Sequence, residues 1–200
     1  MDETIHVPVG VGRNIRNVAG NREKYGGNYM YDPTIFENLK VAFENHVYDL
    51  DNIDRKINIT NRVDQMDFSI MARKFAIQFT LVDQQDVTAE IVLKASLDDL
   101  AGEILEIPGK NLGCSLKLRF YKRVQNAAVQ CREIEQELNA IWENEIQLTQ
   151  TLSFVYEQEA PGYLDLIEVQ FVEKINEDHM EELADFLEHI LESLEILQGI

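Results

Sequence analysis

Two glycines near the beginning of the chain, Gly10 and Gly12, have the spacing of a turn that holds phosphate. They lie in HVPVGVGRNIRNVAG, residues 6–20, directly after a short apolar run. A dinucleotide-binding turn also needs a third glycine, at which the following helix packs closely against the strand. Ile15 occupies that position, and three more glycines follow by residue 27, before a helix can form. The sequence therefore predicts no nucleotide site here.

Two further stretches match known binding loops only in part. Residues 102–111, GEILEIPGKN, have six residues between the two glycines, and Asn111 replaces the hydroxyl residue of a phosphate-binding loop. Residues 49–60, DLDNIDRKINIT, begin like a calcium loop, but Asp54 and Thr60 stand where that loop has glycine and glutamate. We interpret the first stretch as a surface loop and the second as a turn between strands.

Asp185 and His189 have the spacing of metal ligands on a helix. They are four positions apart, and Glu182 and Glu192 flank them, so that one helix side can offer two or three ligands. An outward-facing acidic helix produces the same pattern. We favour the acidic face and predict no metal and no cofactor.

A second group of acids, Asp98, Asp99 and Glu103, lies on a short predicted helix. One hypothesis is therefore a ligand-binding or divalent-metal-assisted enzyme domain that uses this group or the pair on the final helix. The chain has no GxSxG or HExxH motif, and Cys114 and Cys131 do not form a CxxC pair. We expect both cysteines to be reduced and buried, and the missing signatures favour a protein without catalytic activity.

The charge of the chain is concentrated in its last third. Residues 1–132 hold 17 Lys and Arg against 18 Asp and Glu. Residues 133–200 hold one base, Lys174, against 18 acids, and so carry nearly all of the net charge of −18. Such a field repels phosphate backbones, so we predict no nucleic-acid partner. The acidic residues either form a solvent-exposed helix face or bind another protein that has a basic surface.

Residues 1–34 are predicted to form an irregular and locally basic arm, because they contain five glycines and two prolines with little apolar periodicity. The basic residues of this arm are Arg13, Arg16, Arg22 and Lys24. They can pair with the acidic last third, for which Glu182, Asp185, His189 and Glu192 are the candidate contacts. Within one chain this pairing forms a latch, and between two chains it ties a homodimer.

Residues 35–200 are predicted to form a single α+β domain. Apolar alternation predicts a first strand over residues 39–50, LKVAFENHVYDL, in a hairpin with a strand over residues 55–63. A change of phase predicts a break near residues 71–74, and a second hairpin follows. The full order is β-β-β-β-α-β-α-β-β-α. Its short connections favour a mainly antiparallel sheet with about three helices on one face.

The three predicted helices begin near Ser96, Asn126 and Asn176, and we expect Ser96 and Asn176 to cap their helices. Trp142 and Phe186 fall on the apolar stripes of the second and third helices.

The sequence has no window with the ~18 uninterrupted apolar residues of a membrane span, and no signal-like beginning. We therefore expect a cytoplasmic protein without a membrane partner. The favoured hypothesis is a non-catalytic protein-interaction module, of the adaptor, assembly or chaperone-like kind, that presents an acidic C-terminal helical face.

Overall fold

The computed structural model describes residues 34–107, 112–143, 146–156 and 162–200. Contacts within the chain separate residues 1–32 from residues 33–200, and all described residues belong to the second unit. Apart from Thr34, the predicted basic arm lies outside the described residues, together with its candidate contacts Arg13, Arg16, Arg22 and Lys24. The arm therefore stays a prediction.

The described chain contains four α-helices, one 3₁₀ helix and six strands. The first elements are α1 (Ile35–Asn52), β1 (Ile57–Asp67), β2 (Ala72–Leu81), β3 (Thr88–Ala95) and α2 (Leu97–Ile104). They are followed by β4 (Ser115–Val124), α3 (Ala127–Ile141), β5 (Ile146–Ser153), β6 (Tyr163–Phe171), the 3₁₀ helix (Glu177–Glu182) and α4 (Leu183–Gly199). None of the helices in the described residues combines the length and the apolar character that a membrane crossing requires.

The six strands form one sheet in the order β1-β2-β3-β4-β6-β5, and every neighbouring pair is antiparallel. Alternate side chains of the central strands are fully buried, as the period of a strand requires. One such row across the sheet is Ile77, Ile91, Leu118 and Val169. Buried residues of α1, α3 and α4 join the same core. The predicted α+β class with an antiparallel sheet is confirmed.

The predicted first strand is wrong, because its residues belong to α1. Leu39, Phe43 and Val47 are fully buried, and their spacing of four fits both the two-residue period of a strand and one face of a helix. Val41 distinguishes the two structures. In a strand it would share the buried face, whereas here its side chain is 49% exposed.

This correction also changes the strand pairing. β1 pairs with β2 rather than with the segment before it, and the turn between them covers residues 68–71, beside the predicted break. The predicted hairpin of β2 and β3 is confirmed. Asn176 caps the 3₁₀ helix, and α4 begins only at Leu183, so the final helix is shorter than predicted. The observed order is α-β-β-β-α-β-α-β-β-α.

Ion pairs bind the polar side of α1 to the edge of the sheet formed by β1 and β2. Lys40 Nζ lies 2.9 Å from Asp64 Oδ2. The other two pairs that join α1 to these strands are Arg62 with Glu44 and Arg73 with Glu37. Charged side chains of β1 are therefore part of the contact between helix and sheet.

Candidate functional site

The end of α3, the end of β6 and the beginning of α4 line a cavity of about 730 Å³. Three aromatic side chains in its lining are half-buried: Trp142, Phe171 and Phe186. The exposed polar residues in its lining include the predicted candidates Glu182, Asp185 and His189. We call these six residues the aromatic pocket. The members contributed by α4 and the residue before it are three or four positions apart, so they share one side of the helix.

The three aromatic rings of the pocket pack against one another. The ring centroids of Trp142 and Phe171 are 5.4 Å apart at 67°, and those of Phe171 and Phe186 are 5.6 Å apart at 65°. Rings prefer such edge-to-face arrangements. The ring of His189 lies 5.5 Å from that of Trp142, so His189 joins the aromatic cluster to the polar side of the pocket.

Hydrogen bonds hold the indole of Trp142 in place. Its Nε1–H donates to Ser193 Oγ at 3.2 Å, and the Ser193 hydroxyl donates to the backbone oxygen of His189 at 2.7 Å. Ser193 is fully buried, and a buried hydroxyl needs such partners. The orientation of Trp142 is thus tied to the backbone of α4, and the ring surface is formed before any ligand arrives.

The polar side of the pocket is negatively charged. Neither Glu182 nor Asp185 forms an ion pair with a described residue. Lys174, the single base of the last third, also lines the cavity, but its Nζ lies 2.5 Å from Asp99 Oδ1. Its charge is therefore matched by an acid of α2. Aromatic rings beside unpaired carboxylates are the chemistry that binds an alkylammonium or a guanidinium group.

Glu192, the remaining candidate on α4, lies outside this pocket. It lines a neighbouring groove that also contains Lys56, Glu188 and Glu195, and both Asp185 and His189 lie between the two cavities. Lys56 Nζ is 3.5 Å from Glu188 Oε1 in an exposed ion pair, which adds little stability. The structure thus brings three of the four acidic-face candidates into one cavity and leaves the fourth beside it.

The described residues hold no group of three or more His, Cys, Asp or Glu side chains that could bind a metal ion. His179 also lines the cavity, but its Nδ1 lies 3.2 Å from the backbone nitrogen of Asn176. It accepts that hydrogen bond as part of the capping box of the 3₁₀ helix. His179 is therefore a cap of the 3₁₀ helix.

Two of the three acids of α2 also act as helix caps. Asp99 and Ser96 form the capping box of α2. Burial opposes ionisation of Asp99, but hydrogen bonds from Lys174 and Ser96 outweigh it and lower its pKa. Glu103 Oε1 accepts a hydrogen bond from the backbone nitrogen of Ile35 at 2.8 Å, at the beginning of α1. Asp98 is exposed on the same helix.

Both cysteines are free thiols. Cys114 is buried, and this burial raises its pKa to about 12. Cys131 is half-buried, and burial followed by the nearby carboxylate of Asp165 raises its pKa as well. The thiolate is the nucleophilic form, so neither cysteine has the environment of a reactive thiol.

A second polar cluster surrounds Glu90, which is buried on the face of the sheet away from the core helices. Its carboxylate accepts hydrogen bonds from Tyr121 at 2.8 Å, Gln78 at 3.1 Å and Arg119 at 3.2 Å. Burial, then the contact with Glu90, raises the pKa of Tyr121 to about 12. The network satisfies its own members, which is the property of a structural cluster.

The aromatic half of the pocket has no signature in the sequence. Trp142 and Phe186 fit ordinary apolar helix stripes, and Phe171 ends a strand. The three residues lie far apart along the chain, and only the packing of α3, β6 and α4 brings them together.

Comparison of the chain with known protein families, with curated proteins and with solved structures finds no significant match.

Proposed function

We propose that the protein is a non-catalytic protein-interaction module, of the adaptor, assembly or chaperone-like kind, whose acidic C-terminal helical face binds a basic segment of another protein. One observation carries the proposal: the aromatic pocket joins three packed rings to carboxylates that have no ion-pair partner among the described residues. A lysine or arginine side chain fits both halves. Its carbon stem packs on the rings, and its cation is attracted by the ring faces and by the carboxylates.

The charge around the pocket supports a basic partner that is longer than one residue. Exposed acids continue along one side of α4 beyond the pocket: Glu188, Glu192 and Glu195. A row of like charges attracts a basic segment from a distance and raises its association rate. A bound segment would therefore place one cation in the pocket and others along α4.

The predicted basic arm of this chain is one such segment, because it carries Arg13, Arg16, Arg22 and Lys24. We propose that it binds at the acidic face either within one chain or between two chains. The alternative of a ligand-binding or metal-assisted enzyme domain stays a prediction. No contact among the described residues favours it over the binding of a basic protein segment.

Fluorescence of Trp142 provides a direct test, because it is the only tryptophan of the chain and lies in the pocket. A peptide of residues 8–26 contains no tryptophan, and we expect it to shift the emission of Trp142 until binding saturates. The affinity should fall as NaCl rises from about 50 to about 500 mM, since salt screens exposed charges. A chain that begins at residue 31 is titrated in parallel, because a latch in the full chain would compete with the peptide.

Matched variants distinguish binding in the aromatic pocket from a general effect of the negative charge of the chain. Glu182→Gln with Asp185→Asn should weaken binding about tenfold, which corresponds to about 1.4 kcal/mol. Glu133→Gln with Glu137→Gln removes the same charge from exposed positions of α3 outside the pocket, and should change affinity less than about twofold. Equal losses in the two variants would show that the pocket is not the binding site. A peptide in which glutamine replaces the four basic residues should not bind.

A further inference from the structure

The two edges of the sheet differ in how well they resist pairing with another strand. The β1 edge carries the charged residues Arg62, Asp64 and Asp67. Its pairing with β2 also shifts register between Ile59 and Asn61. Charges and bulges are the features by which edge strands avoid joining other sheets. The β1 edge is therefore protected.

The β5 edge has neither feature. It lies in residues 146–156, IQLTQTLSFVY, an uncharged run of 11 residues in a chain of which 27% is charged. The run contains no proline and no glycine, and all eight residues of β5 pair with β6 without a register shift. No strand in the described part of the chain pairs with the other side of β5. This edge therefore presents a regular row of backbone groups to any strand that arrives.

Exposed apolar side chains continue from the end of β5. Phe154, Val155 and Tyr156 are 69%, 63% and 80% exposed. The ring of Phe154 lies 6.1 Å from that of Tyr163, which begins β6 and is itself exposed. When a partner covers a cluster of exposed apolar side chains beside an unprotected edge, the burial of that apolar surface favours association.

We propose that β5 pairs antiparallel with β5 of a second copy of this chain, so that two sheets join across a two-fold axis. A two-fold contact uses the same surface of both partners, so that surface must be complementary to itself. An antiparallel pair of identical strands meets this requirement. An antiparallel register that keeps the sheet faces in phase places Thr149 and Thr151 of each copy on one face, where threonine pairs are favourable. Leu148, Gln150 and Leu152 then lie on the helix-covered face of both copies.

The charge of the chain also selects this surface for a second copy. Each copy carries a net charge of −18, so two copies repel each other and can approach most closely where the surface is neutral. The eleven-residue uncharged run is such a surface. Because the pairing uses the β5 edge of both copies and the β1 edges are protected, the assembly closes at two chains.

This pairing does not rest on the proposed binding of a basic segment, and salt distinguishes the two. Added salt screens the repulsion between acidic copies and tightens the β5 dimer, whereas it weakens the attraction of a basic segment for α4. Sedimentation or light scattering of the full chain at about 50 and about 500 mM NaCl measures the effect. We expect a mass of twice one chain and a dissociation constant that falls with salt.

Lysine substitutions on the exposed face of the edge should break the dimer. Thr149→Lys with Thr151→Lys places like charges opposite each other across the two-fold axis, and should raise the dissociation constant at least about tenfold. Thr60→Lys with Asn61→Lys is the matched control, because it adds the same charge at exposed positions of the β1 edge and should leave the dimer intact. Thermal unfolding of both variants reports whether the fold is retained.

Hydrogen exchange of the unmodified chain provides a second measurement. The outward amides of β5 should become more protected as the protein concentration rises, while the amides of the β1 edge should not. Each of three results would overturn the proposal: a monomer at all concentrations, a dimer that dissociates in salt and ignores the β5 lysines, or open-ended oligomers.

Discussion

Replacing Phe43 with alanine should lower the free energy of unfolding by about 3–5 kcal/mol, whereas Val41→Ala should change it by less than about 0.5 kcal/mol. Phe43 lies near the middle of α1, is fully buried, and has its ring centroid 6.0 Å from that of Phe186 on α4. Its truncation leaves a cavity that the surrounding core fills only in part. Val41 is 49% exposed, and alanine favours a helix more than valine does, so its loss has little effect.

Urea denaturation of the two variants checks this prediction, and the pair also tests the secondary structure. In a strand, Phe43 and Val41 would share one face, so both substitutions would remove buried apolar contacts. Similar losses of unfolding free energy at the two positions would therefore contradict the helical structure of α1. Phe186 belongs to the aromatic pocket, so Phe43→Ala should also change the emission of Trp142, whose ring lies 5.5 Å from that of Phe186.

Asp165→Asn should raise the free energy of unfolding by about 2–3 kcal/mol near neutral pH. Asp165 is fully buried, and this burial raises its pKa to about 6. Its Oδ2 is 3.8 Å from Cys131 Sγ, and its Oδ1 has no hydrogen-bond partner among the described residues. The ionised carboxylate therefore loses more hydration on folding than its contacts replace.

The sign of the pH dependence follows from the raised pKa. In the unfolded chain the pKa of aspartate is about 3.9, so the folded state holds the proton more tightly. The stability associated with the protonated group is fully present below about pH 3.9 and is lost as the pH rises through about 6. Asparagine does not titrate, so its advantage over Asp165 should grow across this interval and be largest above it.

The amide of asparagine also offers a donor that the carboxylate lacks. Gln150 Oε1, like Asp165 Oδ1, is buried and accepts no hydrogen bond from the part of the chain that the structure describes. Gln150 Nε2 donates to the backbone oxygen of Cys131 at 2.8 Å, so both orphan acceptors belong to side chains that contact Cys131. Gln150 and Asp165 occupy diagonal positions of the β5–β6 pair, so their side chains are within reach of each other. An amide at position 165 can therefore satisfy Gln150.

Chemical denaturation of both proteins between about pH 4 and about pH 7.5 measures the difference. Asp64→Asn serves as a control with the opposite sign. Burial opposes ionisation of Asp64, but a hydrogen bond from Lys40 and nearby positive charges lower its pKa, so asparagine there should destabilise the fold at neutral pH and matter less in acid. A gain from Asp165→Asn that does not depend on pH would contradict the buried carboxylate as its cause.

Local features of the fold could be predicted from short stretches of sequence. The capping box of Ser96 and Asp99 is correct, because a cap depends on residues three positions apart. The hairpin of β2 and β3 is correct, because alternation and a polar turn specify it. The strand predicted over residues 39–50 is wrong, because a spacing of four fits a helix as well as a strand and the segment packs as α1.

The two halves of the candidate site differ in the same way. Asp185 and His189 of α4 lie on the same side as Glu182, the residue directly before α4, and helical spacing alone predicts this. Trp142 and Phe171 reach the same cavity from the ends of α3 and β6. Their approach depends on how the helices pack across the sheet, and no local pattern specifies that packing.

The amino-acid sequence alone specifies where the charge of this protein lies, its α+β class, and the uncharged run of residues 146–156. These properties follow from residue types and from periods of two and about four along the chain. The packed fold was needed to establish that the first apolar segment is a helix, that β5 is an edge strand among the described strands, and that aromatic rings meet the acids at the beginning of α4. The physical reason is that pairing and packing join residues distant in the chain, and the burial that each gains depends on all the others.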